Sequence, residues 1–457
     1  MSYKSQIDAM NTFFYTDATK EIKFRKKQLK SLRKEIKRRE ADILHALKLD
    51  LGKGKVEGYA SEIGIILKSI GMFIKEMKTY SKVESISTPM MQFPGKSYVM
   101  REPLGTVLII GPFNYPFQLV MEPLVGAIAA GNCAIVKPSE LTPHTSQVIS
   151  EIIAATFETN YVTTVLGEKE VTSDLLKEKF DFIFFTGSTK VGQIVYEAAS
   201  KHLTPVALEL GGKSPTIIDA TANIKVAAER ITFGKFINAG QTCVAPDYIL
   251  IDRQVKDKFI RAMQTTIKEF YGEDPERSDD FGRIVNDNHF KRLSGLLEAS
   301  LDRVIVGGKT NIETRYIEPT ILDHVTLDDE VMKEEIFGPI LPIITFDSSD
   351  EVFDIIRSFE KPLALYVFSE DSDYVKTVFK RLSFGGGCIN DTLMHVSNPY
   401  LPFGGVGASG IGTYHGKYSF DLFSHQKAYM TKGTKLETGL MFPPYKGKFK
   451  YIRQIYK

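Results

Sequence analysis

Over residues 20–49 apolar side chains fall at Leu29, Leu32, Ile36, Ile43 and Leu47, separations of 3, 4, 7 and 4 that line one face of a helix. Lys23, Arg25, Lys26, Lys27, Lys30, Arg33, Lys34, Lys37, Arg38 and Arg39 lie between them, and Gly52 and Gly54 end the run. A second helical pattern covers 59–80. Residues 81–95 carry Pro89 and Pro94 among polar residues and read as an extended connection or edge strand. The period then changes. Short, β-branched apolar runs at 105–111, 133–136 and 182–185 read as buried parallel strands. Helices are expected over 123–131 and 191–202, which makes a series of βαβ units. Further strand-like runs at 248–251, 304–306, 340–344 and 363–368 alternate with helical patterns at 255–271 and 351–359, so a second α/β region is expected.

At 457 residues and 43% hydrophobic content the chain can bury the cores of two or three domains. A net charge of +2 gives no whole-molecule field that favours nucleic acid, and the basic helix at 20–39 reads as a solvated face. Cys133, Cys243 and Cys388 are far apart, with neither C-x-x-C spacing nor a neighbouring His, so no metal site is expected and a reducing, cytoplasmic setting fits. The start lacks the apolar core of a secretory signal, and no segment reaches the roughly 18 apolar residues needed to span a bilayer.

Candidate chemistry gathers at the ends of the apolar runs. Cys243, in Asn238-Ala239-Gly240-Gln241-Thr242-Cys243-Val244-Ala245-Pro246, reads either as a nucleophile or as a small buried hydrophobe. Asn114, between Pro112 and Pro116 after a strand end, reads as a turn former or as an amide donor aimed at a developing oxyanion. The turn Thr186-Gly187-Ser188-Thr189-Lys190 offers backbone N–H groups to a phosphate, though its glycine spacing is neither G-x-G-x-x-G nor a P-loop. Glu209 ends an apolar strand before Gly211 and Gly212, 34 residues ahead of Cys243. It reads as a structurally paired acid or as a general base with a raised pKa.

Taken together, Phe185-Thr186-Gly187-Ser188-Thr189, Leu208-Glu209-Leu210-Gly211-Gly212-Lys213-Ser214-Pro215 and Asn238 to Cys243 resemble the aldehyde dehydrogenase superfamily, in order and over nearly the whole chain. Glu334-Glu335-Ile336-Phe337-Gly338-Pro339 and Leu401-Pro402-Phe403-Gly404-Gly405-Val406-Gly407-Ala408-Ser409-Gly410 agree. Gly234-Lys235-Phe236, Cys243 to Tyr248 and Tyr414-His415-Gly416-Lys417 are similar to the class 3 and fatty aldehyde branch.

The resemblance implies an α/β fold: a Rossmann-like cofactor-binding domain (1–80 and 100–209), an α/β catalytic domain (210–405), and a β-ribbon oligomerisation element with the C-terminal tail (81–99 and 406–457). It implies that Cys243 attacks an aldehyde, that Asn114 and the Cys243 N–H hold the oxyanion, and that Glu209 activates the hydrolytic water. It places Lys137 and Glu140 at the adenosine ribose, Gly187 and Ser188 at the pyrophosphate, and Glu335 and Phe337 at the nicotinamide end. NAD is expected to be favoured, with NADP also accommodated. Packing alone would equally account for Phe337, and surface position for Glu335 and Lys137. A CoA-acylating relative would share Cys243 but usually lack Glu209, and a non-catalytic protein on this fold would be expected to have lost Cys243, Glu209 or Asn114. Phe113, Tyr115, Phe117, Phe236 and Phe403 read either as an apolar entrance for lipophilic aldehydes or as core.

A segment over 420–429 is expected to pair with 85–99 and extend a partner's sheet, giving a homodimer. The basic, aromatic tail over 432–457 reads as a solvated segment packed on that partner, with weak peripheral membrane contact as the alternative.

Overall fold

The structure, a computed structural model, describes residues 3–437 and 439–456. Its N-terminal layer is helical: Tyr3–Phe14, Ile22–Arg38, Glu40–Leu51 and Gly64–Tyr80, the last continuous with the helical turn Lys55–Gly58 and the π-helical segment Tyr59–Ile63 before it. The single helix expected over 20–49 is two, divided at Arg39 (φ −98°, ψ 14°). Arg39 faces Glu35, Asp42 and Glu151 there. Leu29, Leu32, Ile36, Ile43 and Leu47 are fully buried, as their spacing requires. Arg25 departs from the solvated basic face. It is buried and donates to the carbonyls of Thr19, Lys20 and Ala129, so it closes the end of a neighbouring helix.

The strands follow in chain order. β1 (Glu84–Ile86) and β2 (Lys96–Pro103) begin a ribbon; β3 (Thr106–Ile110), β4 (Cys133–Lys137), β5 (Val162–Thr164), β6 (Phe182–Thr186) and β7 (Val206–Glu209) are parallel. β8 (Pro215–Ile218), β9 (Tyr248–Asp252), β10 (Val304–Val306), the short pair β11 (Thr310–Asn311) and β12 (Tyr316–Ile317), β13 (Thr320–Leu322), β14 (Ile340–Phe346), β15 (Ala364–Phe368) and β16 (Gly386–Ile389) come next. β17 (Gly410–Ile411) and β18 (Ser424–Thr431) complete the set. The first sheet has the order β17-β7-β6-β3-β4-β5, and the second β10-β13-β14-β9-β8-β15-β16. Strands β3, β4 and β6 are buried along their whole length, which explains their unbroken apolar runs.

Two expected boundaries move. The helix expected over 123–131 is Gln118–Ala130, with Pro123 inside it. Its start is fixed by Glu62, whose carboxylate accepts from the Phe117 and Gln118 N–H groups. In the ribbon, β18 rather than 420–429 pairs with β2 (Tyr429 opposite Tyr98), because residues up to Leu422 belong to the helix Gly416–Leu422. The two tyrosine rings stack at 5.2 Å. β17 returns to the first sheet, antiparallel to β7, with Gly410 opposite Glu209.

The tail is exposed apart from partly covered positions and contains one short helix, Phe449–Ile455; Lys457 lies outside the described residues. No described helix is long and apolar enough to cross a membrane.

This topology fixes where a site can form. The register sets Ile110 beside both Lys137 and Phe185, and Thr186 beside Glu209, so the carboxyl ends of β4, β3, β6 and β7 form one row. In the second sheet β8, β9 and β14 are neighbours, so the loops leading into them (210–214, 241–247 and 334–339) lie side by side. The chain crosses between the sheets from Glu209 to Pro215, and the two loop rows face each other there.

Candidate active site

The Cys243 loop is shaped before it reaches the thiol. Helix Ile224–Phe236 ends in a tight turn, and Asn238 and Ala239 adopt left-handed backbone (φ 54° and 52°), followed by Gly240 at φ 75°. A Cβ on Gly240 would lie 2.3 Å from the Gly338 carbonyl oxygen, so only glycine lets this loop meet the 334–339 loop. Gln241 then clamps the segment from inside. Its Nε2 donates to the carbonyls of Asn238 (3.0 Å) and Arg283 (2.9 Å), and its Oε1 accepts from the Val285 N–H (3.0 Å). Thr242 Oγ1 and Tyr115 OH share a 2.7 Å hydrogen bond, and Tyr366 OH donates to the Val244 carbonyl at 2.6 Å.

Cys243 sits in the turn closed by Ala245 N–H to the Thr242 carbonyl. Burial pushes its thiol up to about 12, and the Glu335 and Glu209 charges push the same way. The backbone N–H groups of Cys243 and Val244 oppose them, being aimed at the sulfur. The resting thiol is therefore neutral, and those two donors are already directed at the reacting centre.

Asn114 faces this loop from the end of β3. Its Nδ2 donates to the Gln241 carbonyl at 3.0 Å, and its own carbonyl accepts from Lys53 Nζ (2.9 Å) and Asn238 Nδ2 (2.7 Å). An amide nitrogen carries two hydrogens, so one anchors Asn114 and the second is left for an incoming oxygen. Glu209, 2% exposed at the end of β7, has no hydrogen-bond partner for either oxygen among the described residues. Burial alone drives its pKa well above the carboxylate range. A carboxyl left unpaired in this way is costly, and it is poised to hold and release a proton beside the thiol.

The 334–339 loop is tied down by Lys213 and Asp247. Lys213 Nζ contacts Asp247 Oδ2 (2.7 Å) and donates to the carbonyls of Val331 (2.7 Å) and Glu334 (3.0 Å), while Asp247 Oδ1 accepts from the Ile336 N–H (3.0 Å). Glu335 lies between, its carboxylate over Gly211 and held by the Gly212 N–H, with burial and the Asp247 charge raising it to about 8. Phe337, at φ 50°, packs edge-on to Phe113 with centroids 5.7 Å apart.

A cradle for a dinucleotide runs along the first sheet. The helix Thr189–Ser200 presents its N-terminus after β6; Ser188 caps it and accepts from the Val191 N–H, and Thr186 Oγ1 is buried without a partner among the described residues. Gly187 donates to the Glu209 carbonyl, which joins the cradle to the acid. Lys137 is buried and donates to the Pro138 carbonyl (2.9 Å) and to Glu140 Oε2 (3.0 Å), while Glu140 is exposed. These donors and acceptors fit a dinucleotide: phosphate at the helix N-terminus, ribose hydroxyls at the carboxylates. Three strand spacings separate Lys137 from Glu209, roughly 14 Å, so this pair belongs to the far end of the cradle.

Cys243, Glu209, Asn114 and Glu335 are thus brought to one centre, and Gly187, Ser188, Lys137 and Glu140 to its extension. Lys137 is no solvated strand end, and Glu335, though partly exposed, turns its carboxylate inward to Gly211 and Gly212. Of the expected aromatic entrance, Phe117, Phe236 and Phe403 belong to the core. Phe113 turns to Phe337 and His289, and Tyr115 to Lys53 and Thr242. Sequence reasoning missed Lys53, Glu62, Asn238, Gln241, Lys213 and Asp247. Lys213, Asn238, Gln241 and Asp247 stand inside the runs that carry the resemblance but were given no role, and Glu62 stands at helical spacing from the buried Ile66, Ser69 and Phe73.

The Aldehyde dehydrogenase family description matches residues 2–429. The chain is 60% identical over 445 residues to a 4,4'-diaponeurosporen-aldehyde dehydrogenase of Staphylococcus aureus, covering 97% of both chains. It is 46% identical over 441 residues to aldehyde dehydrogenase family 3 member A2 of Rattus norvegicus, covering 96% of this chain and 91% of the relative. The solved substrate-bound state of Staphylococcus aureus AldH superposes with a TM-score of 0.99 at 58% identity, each chain covered completely. The chain therefore belongs to the aldehyde dehydrogenase family, in its class 3 branch, and is an NAD(P)-dependent oxidoreductase that converts aldehydes to carboxylic acids.

Proposed function

We propose that the reaction runs on Cys243, Asn114 and Glu209, and that the physiological substrate is a lipophilic, polyene or long-chain, aldehyde. The observation that carries the catalytic part is the buried, unpartnered Glu209 carboxyl beside a thiol that both backbone donors and Asn114 surround. The Cys243 sulfur adds to the aldehyde carbon and its proton passes to solvent water, which leaves Glu209 as the carboxylate. The new oxyanion takes hydrogen bonds from Asn114 Nδ2 and the Cys243 N–H. A bound nicotinamide cofactor supplies the hydride acceptor and a positive charge that favours the thiolate. The acyl group then rests on Cys243 as a thioester. Glu209 takes a proton from a water, the hydroxide adds to the thioester carbon, the carbon–sulfur bond breaks to release the acid, and the proton held by Glu209 passes to the leaving sulfur.

Gly187 and Ser188 would hold the pyrophosphate, Lys137 and Glu140 the adenosine ribose, and Glu335 and Phe337 the nicotinamide end. Glu140, exposed beside Lys137, favours NAD over NADP by repelling a 2′-phosphate. On this reading the domains are 1–80 with 100–209, 210–405, and 81–99 with 406–457; the change of sheet between Glu209 and Pro215 supports the central division.

The name of the staphylococcal relative supports a polyene aldehyde. A homodimer through the ribbon is supported by its exposed Ile86, Met90, Phe93 and Met430. The exposed Phe449, Tyr451 and Tyr456, interleaved with Lys448, Lys450 and Arg453, support weak contact of the tail with an anionic membrane in a cytoplasmic enzyme. A panel of aldehydes ranked by kcat/KM tests the substrate: values rising with chain length and unsaturation are expected, and a preference for short charged aldehydes overturns it.

A further inference from the structure

Lys53 is a buried cation distant in sequence from the loops assigned to chemistry. It comes from Leu51-Gly52-Lys53-Gly54, between two helices of the N-terminal layer, and is 1% exposed. All three ammonium hydrogens have a destination. Nζ lies 2.5 Å from Glu62 Oε1, 2.9 Å from the Asn114 carbonyl oxygen and 4.0 Å from the centre of the Tyr115 ring. Glu62 is 0% exposed, and its other oxygen accepts from the N–H groups of Phe117 (3.0 Å) and Gln118 (2.9 Å). One ion pair therefore grips both ends of the turn 114–118: the cation at its first carbonyl, the anion at the N–H groups where the next helix begins.

A helix start alone does not require this. A neutral Ser or Thr caps a helix, whereas burying a Lys–Glu pair carries a desolvation cost that its attraction offsets only with near-complete hydrogen bonding. What the pair adds is a fixed Asn114. That residue lies outside helix and strand, so its carbonyl has no repeating partner; Lys53 and Asn238 are what hold it. Asn238 also donates to the Gln241 carbonyl (3.1 Å), the same oxygen that anchors the Asn114 side chain. Backbone and side chain of Asn114 are thereby set against the Cys243 loop from two directions.

We propose that Lys53, paired with Glu62 and acting with Asn238, is a positioning residue for the oxyanion donor Asn114. The inference rests on Asn114 being that donor. Hydrogen-bond donation to a developing oxyanion is sharply sensitive to geometry, and a displacement of about 1 Å at such a group costs up to roughly a hundredfold in rate. Lys53 does not touch the thiol; besides Asn114 it reaches the Cys243 loop through the Tyr115 ring, whose OH bonds Thr242, and alkylation of Cys243 reads that second route.

The test is a double-mutant cycle on full-length enzyme with an aldehyde and NAD. Lys53→Met is expected to lower kcat at least tenfold, by no more than Asn114→Ala does, with the KM for aldehyde and cofactor within about threefold of the parent. In the Asn114→Ala background the same change is expected to lower kcat less than twofold. Alkylation of Cys243 by iodoacetamide is expected to be unchanged within twofold, which a general collapse of the site would not allow.

Equal losses in both backgrounds, or an unaltered kcat in Lys53→Met, overturn the proposal. An unaltered kcat in Asn114→Ala instead removes the oxyanion reading on which it rests. If Lys53→Met does not accumulate as folded protein, the cycle runs with Asn238→Ala. That variant cuts the second hydrogen bond to the same carbonyl, and independent losses there overturn the proposal equally.

Discussion

Replacing Gly211 by Ala separates the placement of Glu335 from the stability of the fold. A Cβ built on Gly211 lies 2.1 Å from Glu335 Oε2, 2.8 Å from its Cδ and 2.9 Å from Oε1. The carboxylate must retreat by roughly 1 Å to regain van der Waals contact. What moves is the end of a flexible side chain, and Gly211 is not in left-handed backbone, so the fold has little to lose. Tm is expected to stay within about 2 °C of the parent. Glu335, though, no longer sits where Gly212 N–H and the 334–339 loop hold it. A misplacement of this size at a positioning group costs tenfold to about a hundredfold, or about 1.4–2.8 kcal/mol in ΔG‡. Reduced cofactor formed at saturating aldehyde, measured against NAD concentration, reads this as a fall in kcat/KM for the cofactor. Glu335→Ala combined with Gly211→Ala is expected to be no worse than Glu335→Ala alone. Unchanged kcat/KM, or a loss that arrives with a Tm drop of more than about 5 °C, refutes the reasoning.

Gly240→Ala behaves in the opposite way. Its Cβ would meet backbone, the Gly338 oxygen at 2.3 Å, from left-handed φ, so a loss of at least about 2 kcal/mol in urea unfolding is expected. If Asn114 is the oxyanion donor proposed above, Asn114→Ala removes about 2.7–4 kcal/mol of transition-state stabilisation and is expected to slow turnover a hundredfold to a thousandfold in steady-state assays. Glu209, raised by burial, must be deprotonated to take a proton from water, so kcat is expected to rise with pH and Glu209→Gln to flatten that limb. The stability sign follows from the same shift. An acid whose folded pKa lies above its unfolded value stabilises below the unfolded value, and that contribution is lost as pH rises through the folded one. Urea unfolding of Glu209→Gln at several pH values is expected to show less stability lost between pH 5 and pH 8 than in the parent.

The elements the sequence made legible are those governed by local periodicity. β3, β4 and β6 carry unbroken apolar runs because both faces are buried, and helix Ile22–Arg38 follows its 3–4 spacing. Glu209 and Asn114 were legible as candidates because polar groups stand at the ends of such runs, whereas Cys243 was singled out by the resemblance, since a lone cysteine in a loop reads equally as a small hydrophobe. What escaped depends on partners distant in the chain. The start of helix Gln118–Ala130 is set by Glu62, more than fifty residues earlier, so the pattern around Pro123 misplaced it. Arg25 looked like one more surface cation, and only the packed fold supplies the three carbonyls that let it be buried. Gln241 and Lys53 are polar residues in loops, where no period distinguishes a clamp from a solvated side chain.

The central claim is that Cys243 carries the acyl group and Glu209 removes it. Glu209→Gln mixed rapidly with aldehyde and NAD, without CoA, tests this directly when reduced cofactor and the mass of the Cys243 peptide are followed together. A burst of about one reduced cofactor per subunit, then near arrest with an acyl adduct on Cys243, is the predicted result. A linear, parent-like rate with no adduct, or an adduct on another residue, would contradict it.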